Sequence, residues 1–200
     1  MKHTLHSILF IISLLLFLSC AETKKESAED QMHMMSEEEE TLEAPQAPQY
    51  LAEETFRSQL NDVFTAYVEL KESFVASDLN KVKASGLKVS DALNKVEGSK
   101  LEGAAKMDWT TYNENMSGEL NKLKDVTELE SARALLPALT EYMYKIIRAY
   151  GLNGVTAYYA YCPMAFNNKG GYWLSNEKKI RNPYFGDAML ACGGVREQLK

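Results

Sequence analysis

Between Phe56 and Tyr150 the apolar residues recur three and four positions apart in four successive runs. A chain written this way is committed to amphipathic helices that bury one face against each other. The first run is Phe56, Leu60, Val63, Phe64, Tyr67, Leu70 and Phe74, and it predicts a helix ending near Ala76. Asp78 is placed to cap a second helix, whose stripe is Leu79, Val82, Val89, Leu93 and Val96 up to Gly98. The third stripe is Trp109, Tyr112, Met116, Leu120 and Leu123, with Gly118 as its weak point. Thr127 followed by Glu130 reads as a capping box for a fourth helix through Leu129, Ala132, Leu136, Leu139, Met143, Ile146 and Tyr150, closed by Gly151. Pro137 falls inside this last run, where its ring clashes with the preceding turn, so a kink near Arg133 or two shorter helices are expected. Short connections between four such helices imply an antiparallel four-helix bundle with its aromatic stripes as core.

The pattern changes at Gly154. Val155, Ala157, Tyr159 and Tyr161 alternate with Thr156, Tyr158, Ala160 and Cys162, a strand-like period that stops at Pro163. Beyond it, Asn167-Asn168-Lys169-Gly170-Gly171 reads as a loop and Asn182-Pro183-Tyr184-Phe185-Gly186 as a turn. The expected class is mainly α, a bundle with an irregular C-terminal cap over 154–200. This cap holds a short hairpin or two and packs through Tyr172, Trp173, Tyr184 and Phe185.

The N-terminal segment assigns a location. Lys2, an apolar run from Ile8 to Leu18, and Ser19 before Cys20 have the layout of a signal peptide over residues 1–20. The run is too short to cross a hydrocarbon core as a helix. Leu18-Ser19-Cys20 resembles the bacterial lipobox, with Phe17 where Leu is usual, so Cys20 is the expected lipidation site and the cell envelope, at the outer membrane, the expected location. Residues 21–49 carry nine Asp or Glu and two Lys, with Pro45 and Pro48, and read as an acidic disordered tether. Residues 50–200 carry nineteen acidic and nineteen basic residues and read as a single domain. A neutral body behind an acidic tail has no electrostatic footprint for nucleic acid.

The candidate chemistry is sulfur chemistry. Cys162 and Met164 are two apart, which an extended backbone projects to one side, and Met189 and Cys192 are three apart, on one face of a helical turn. If these segments meet, four soft donors converge, a set that favours Cu(I). No His lies after residue 33, which argues against an imidazole zinc site and against Ser-His or Cys-His catalysis, and the chain is expected to be non-enzymatic. The alternative from the same residues is a disulfide: with Cys20 lipidated, Cys162 and Cys192 are the remaining thiols in an oxidising compartment. That cross-link would close a loop of about thirty residues and stabilise the cap by roughly 3 to 4 kcal/mol on the chain-entropy view. A second, weaker soft-metal candidate is Met32-His33-Met34-Met35 in the tether.

The stretch Tyr161-Cys162-Pro163-Met164-Ala165-Phe166-Asn167-Asn168-Lys169-Gly170, followed by Trp173-Leu174-Ser175, Ile180-Arg181-Asn182-Pro183-Tyr184-Phe185-Gly186, Met189 and Cys192-Gly193, resembles an uncharacterised bacterial domain family. Members occur as stand-alone lipoproteins and at the C-terminal end of membrane-fusion subunits of heavy-metal efflux pumps. The resemblance spans about residues 55–198, with Leu152-Asn153-Gly154 as the clearest joint in the helical part. Relatives often carry His before the Cys-Pro-Met triplet, where this chain has Tyr161. The resemblance implies a role beside copper or silver export, pump components as partners, and Cu(I) held by Cys162, Met164, Met189 and Cys192.

Overall fold

A computed structural model describes residues 42–200. The expected signal peptide, Cys20, most of the acidic tether and the Met32-His33-Met34-Met35 cluster lie outside the described residues. The described chain is mainly helical, with a small antiparallel sheet at its C-terminal end. Its elements are α1 (Glu54–Val75), α2 (Leu79–Leu93), α3 (Gly103–Asp125), α4 (Leu129–Arg133), α5 (Leu136–Tyr150), β1 (Ala157–Cys162), β2 (Gly171–Ser175) and β3 (Gly194–Leu199).

The apolar stripes become the core. Every stripe residue of α1 is buried, and α1 packs on α2, α2 on α3, and α3 on α5. Asp78 caps α2 as expected, its carboxylate accepting the Lys81 N–H at 3.0 Å. The stripe overshoots the end of α2: the helix stops at Leu93, Val96 is half-buried, and Gly98 opens a short 3-10 turn. A Cβ at Gly98 would stand 2.1 Å from the Trp109 indole nitrogen, so the chain crosses the indole edge where only glycine fits. Gly118, in turn, does not interrupt α3.

Pro137 splits the fourth run into α4 and α5, as its chemistry requires. It sits in the first turn of α5, where the N–H it lacks would have had no helical partner. The expected Thr127 to Glu130 capping box does not form. Glu128 leads into α4 without a side-chain cap, because the Glu130 carboxylate is drawn instead to the Arg133 guanidinium, 2.5 Å away.

Tyr67 ties the helices to the sheet. Its buried hydroxyl lies 2.7 Å from Thr140 Oγ1 on α5 and accepts the Leu174 N–H of β2 at 3.3 Å. Burial pushes its ionisation up to about 12. Tyr67→Phe strands a buried N–H and a buried hydroxyl, so the urea midpoint should fall by the equivalent of about 1 to 3 kcal/mol. The hydroxyl stays protonated in the folded chain past the usual tyrosine range, so this contribution is complete below pH 10 and fades as pH rises toward 12.

The sheet order is β2-β1-β3, with β1 antiparallel to both neighbours and a bulge against β3 between Tyr159 and Ala160. The expected hairpin is thus β1 and β2, and β3 adds a third strand on the other edge. In β2, Trp173 and Leu174 are buried, whereas Tyr172 is 41% exposed. Tyr172 reaches the helices only through Tyr159: it stacks on that ring at 4.6 Å, Tyr159 lies 4.4 Å from Tyr144 of α5, and Tyr161 lies 4.5 Å from Tyr172.

Candidate functional site

β1 ends at Cys162 because Pro163 has no N–H for a further ladder bond. The strand delivers the Cys162 thiol, fully buried, to within 2.9 Å of Cys192 Sγ on the segment leading into β3. Both are free thiols. The separation exceeds a disulfide bond by about 0.9 Å. It falls short of the roughly 3.8 Å between two thiolates on a tetrahedral ion with bonds of about 2.3 Å. The hydrogen bond to Cys162, then burial, then repulsion from a second thiolate push the Cys192 thiol up. The Cys192 thiol is therefore protonated at neutral pH, and a cation that binds it as a thiolate must displace that proton.

The backbone that carries Cys192 is held by Asn182, whose side chain is fully buried. Its Nδ2 donates to the Cys192 carbonyl at 2.8 Å, and its Oδ1 accepts the N–H groups of Tyr184 at 2.8 Å and Phe185 at 3.3 Å. Its own N–H donates to Leu190 O at 2.9 Å, and its carbonyl accepts the Gly186 N–H at 3.1 Å. One residue thus closes the Asn182–Gly186 turn and fixes the thiol-bearing segment against it. Sequence reading finds in Asn182 only a turn residue. The Asn-Pro pair is the available signal, since a proline at the next position leaves the Asn oxygen free to reach the following two N–H groups.

The methionines stand apart from the cysteines. The backbone leaves the extended conformation at Pro163, so Met164 turns outward and is 44% exposed, while Met189 is 37% exposed. Both line a groove of about 450 Å³, walled also by Arg133, Phe166, Tyr184 and Phe185, and neither cysteine lines it. Met189 remains tied to the thiol segment through the Cys192 N–H, which donates to its carbonyl at 3.0 Å. Arg133 holds the floor of the groove to the end of α1: its guanidinium donates to Pro183 O at 3.2 Å and to Ser77 Oγ at 2.8 Å. Tyr184 forms part of the wall, its ring edge-on to Phe166 and its hydroxyl bonded to Tyr172 O. Burial pushes that hydroxyl well up.

Tyr161 stacks on Tyr172 with the Arg196 guanidinium over its ring at 5.8 Å. The same tyrosine row continues through Tyr159 to Tyr144 of α5, whereas the neighbouring Cys162 is buried. Among the described residues no three His, Cys, Asp or Glu side chains cluster; Glu130, paired with Arg133, lines the groove beside the two thioethers. No described helix is long and apolar enough to cross a membrane.

No curated protein and no solved structure matches the chain. A family match begins inside α1, covers the remaining helices and stops before β1, so Cys162, Met164, Met189 and Cys192 all lie C-terminal to it. Residues 63–154 match the family described as "Protein of unknown function (DUF3347)".

Proposed function

We propose that the chain is a non-enzymatic, lipid-anchored envelope protein that takes up Cu(I), or a similarly soft ion, and buffers it or hands it to an efflux system. Cys162 and Cys192 are the thiolate ligands, with the thioethers of Met164 and Met189 beside them. The observation that carries this reading is the approach of two thiols, thirty residues apart in sequence, to 2.9 Å, each thiol linked within three residues to a methionine on one groove. Two thiols with two thioethers beside them suit a soft monovalent ion better than a hard one. The pair opens by about 0.9 Å to seat an ion at ordinary thiolate bond lengths. In this reading α1, α2, α3 and the α4–α5 pair form a four-helix antiparallel bundle that carries the cap. Cys20 holds the whole to lipid through its acyl chains.

Titrating the reduced mature chain, residues 21–200, with Cu(I) against a chromophoric chelator tests the proposal. The expected result is one tightly held ion per chain and its loss on replacing Cys162 and Cys192 together by serine. Because Cys192 starts protonated, affinity should rise with pH by up to about tenfold per unit as its proton is released. No uptake by the native chain, or unchanged uptake by the serine variant, overturns it.

The short sulfur separation also supports a second reading, a disulfide-clamped module that docks on an envelope partner without metal. Protein isolated from cells without added oxidant would then be lighter than the reduced chain by two hydrogens. Free thiols in that material count against it.

A further inference from the structure

We infer that Met164 and Met189 are an exposed receiving site that captures Cu(I) in the groove and passes it to the Cys162–Cys192 pair, and are not closing ligands of that pair. The inference rests on the metal reading of the two cysteines. It follows first from exposure: Met164 and Met189 are 44% and 37% exposed, while Cys162 is wholly buried and neither thiol lines the groove. Cys192 is itself half-buried, but an ion that enters the groove meets the two thioethers there and no thiol. The donors also differ in strength. A neutral thioether binds a soft ion weakly and exchangeably, and a thiolate binds it tightly, so the order from groove to interior runs downhill.

Connectivity supplies a route. Met164 is two residues beyond Cys162, and Met189 is one hydrogen-bonded turn before Cys192, so each thiol is covalently close to one groove methionine. The groove is also a built feature. Phe166, Asn167 and Asn168 all have positive φ, at 52°, 57° and 65°, a left-handed turn that L side chains disfavour. Asn tolerates this region and Phe does not, yet the turn sets Phe166 on the groove wall against Tyr184, 5.2 Å between centroids. Strain of this kind persists where the surroundings enforce it, and it gathers at binding sites. The cation of the wall, Arg133, is already paired with Glu130, so its charge opposes an incoming ion little.

The transfer balances without an oxidant. Two copper–thioether contacts break, two copper–thiolate bonds form, both thiol protons leave to water, and the metal stays Cu(I).

The test compares the mature chain with its Met164→Leu and Met189→Leu double variant, in two measurements with Cu(I) supplied from a chelator. Leucine keeps the size and removes the sulfur at two exposed positions. Equilibrium competition should show affinity changed by less than about tenfold, and stopped-flow uptake should be slower by about tenfold or more. A loss of affinity of tenfold or more makes the methionines ligands of the final site and overturns the inference. So does an uptake rate that changes by less than tenfold. Absence of binding by the native chain would instead overturn the metal reading itself, and the inference with it.

Discussion

Replacing Asn182 by alanine is expected to lower stability by about 3 to 5 kcal/mol and to free Cys192 from its place beside Cys162. The side chain makes three hydrogen bonds at a position with no solvent exposure, to Cys192 O, Tyr184 N and Phe185 N. Each bond contributes about 1 kcal/mol net, and the buried Tyr184 N–H left without its acceptor adds a desolvation penalty. Pro183 offers no N–H that could re-form the turn in another way. A total of this size is a large part of the stability of a domain this long, typically about 5 to 15 kcal/mol. Urea unfolding reads the first effect. The second is read by thiol reactivity toward an aromatic disulfide: the native chain should show one slow thiol, the buried Cys162, and the variant two fast ones. Asn182→Asp keeps the acceptor but loses the donor to the Cys192 carbonyl and buries a charge. If the Asn182→Asp variant were as stable as the native chain, the bond to Cys192 would not be what holds the segment.

The helices were legible because their signal is periodic and each stripe found a facing stripe. Phe56 through Phe74 and Trp109 through Leu123 mark their buried faces residue by residue, apart from the half-buried Tyr112. Pro137 announced the break between α4 and α5 through steric exclusion alone. The cap was less legible. β3 offers only Val195 and Leu199 as apolar residues around Arg196 and Glu197, and its extended form comes from pairing with β1. Tyr172 and Trp173 look alike in composition, and both faces of β2 carry a buried residue, Trp173 and Leu174, so spacing alone does not tell that Tyr172 is the exposed one.

In the site, counting cysteines identified the pair, since two thiols in one short cap have few other partners. The holding role of Asn182 was hidden because its partners are mainly backbone atoms of a turn and of the segment after it, which no spacing encodes. The groove depended on the left-handed turn at Phe166–Asn168, where Asn167 and Asn168 permit the geometry but Phe166 argues against it.

Gly193→Ala should cost about 3 to 5 kcal/mol and, in whatever fraction stays folded, spread the two sulfurs apart. Gly193 has φ +127°, a backbone conformation that L side chains rarely adopt. A Cβ there would also lie 2.7 Å from the Tyr161 carbonyl oxygen and 2.8 Å from the Trp173 ring. Neither obstacle can step aside: the oxygen belongs to the backbone of the central strand, and Trp173 is fully buried. The relief open to the chain is to move the Cys192–Gly193 segment away from Tyr161–Cys162, which is the motion that separates the thiols. Cu(I) affinity and the rate of disulfide formation should therefore both fall, beyond what the loss of stability explains. Gly194→Ala is the matched control, one residue along, with no positive φ and open space around its Cβ position. It should shift the urea midpoint by the equivalent of less than about 0.5 kcal/mol and leave both sulfur readouts unchanged. Equal behaviour of the two variants would mean that the tight approach of Gly193 to β1 does not set the spacing of the pair.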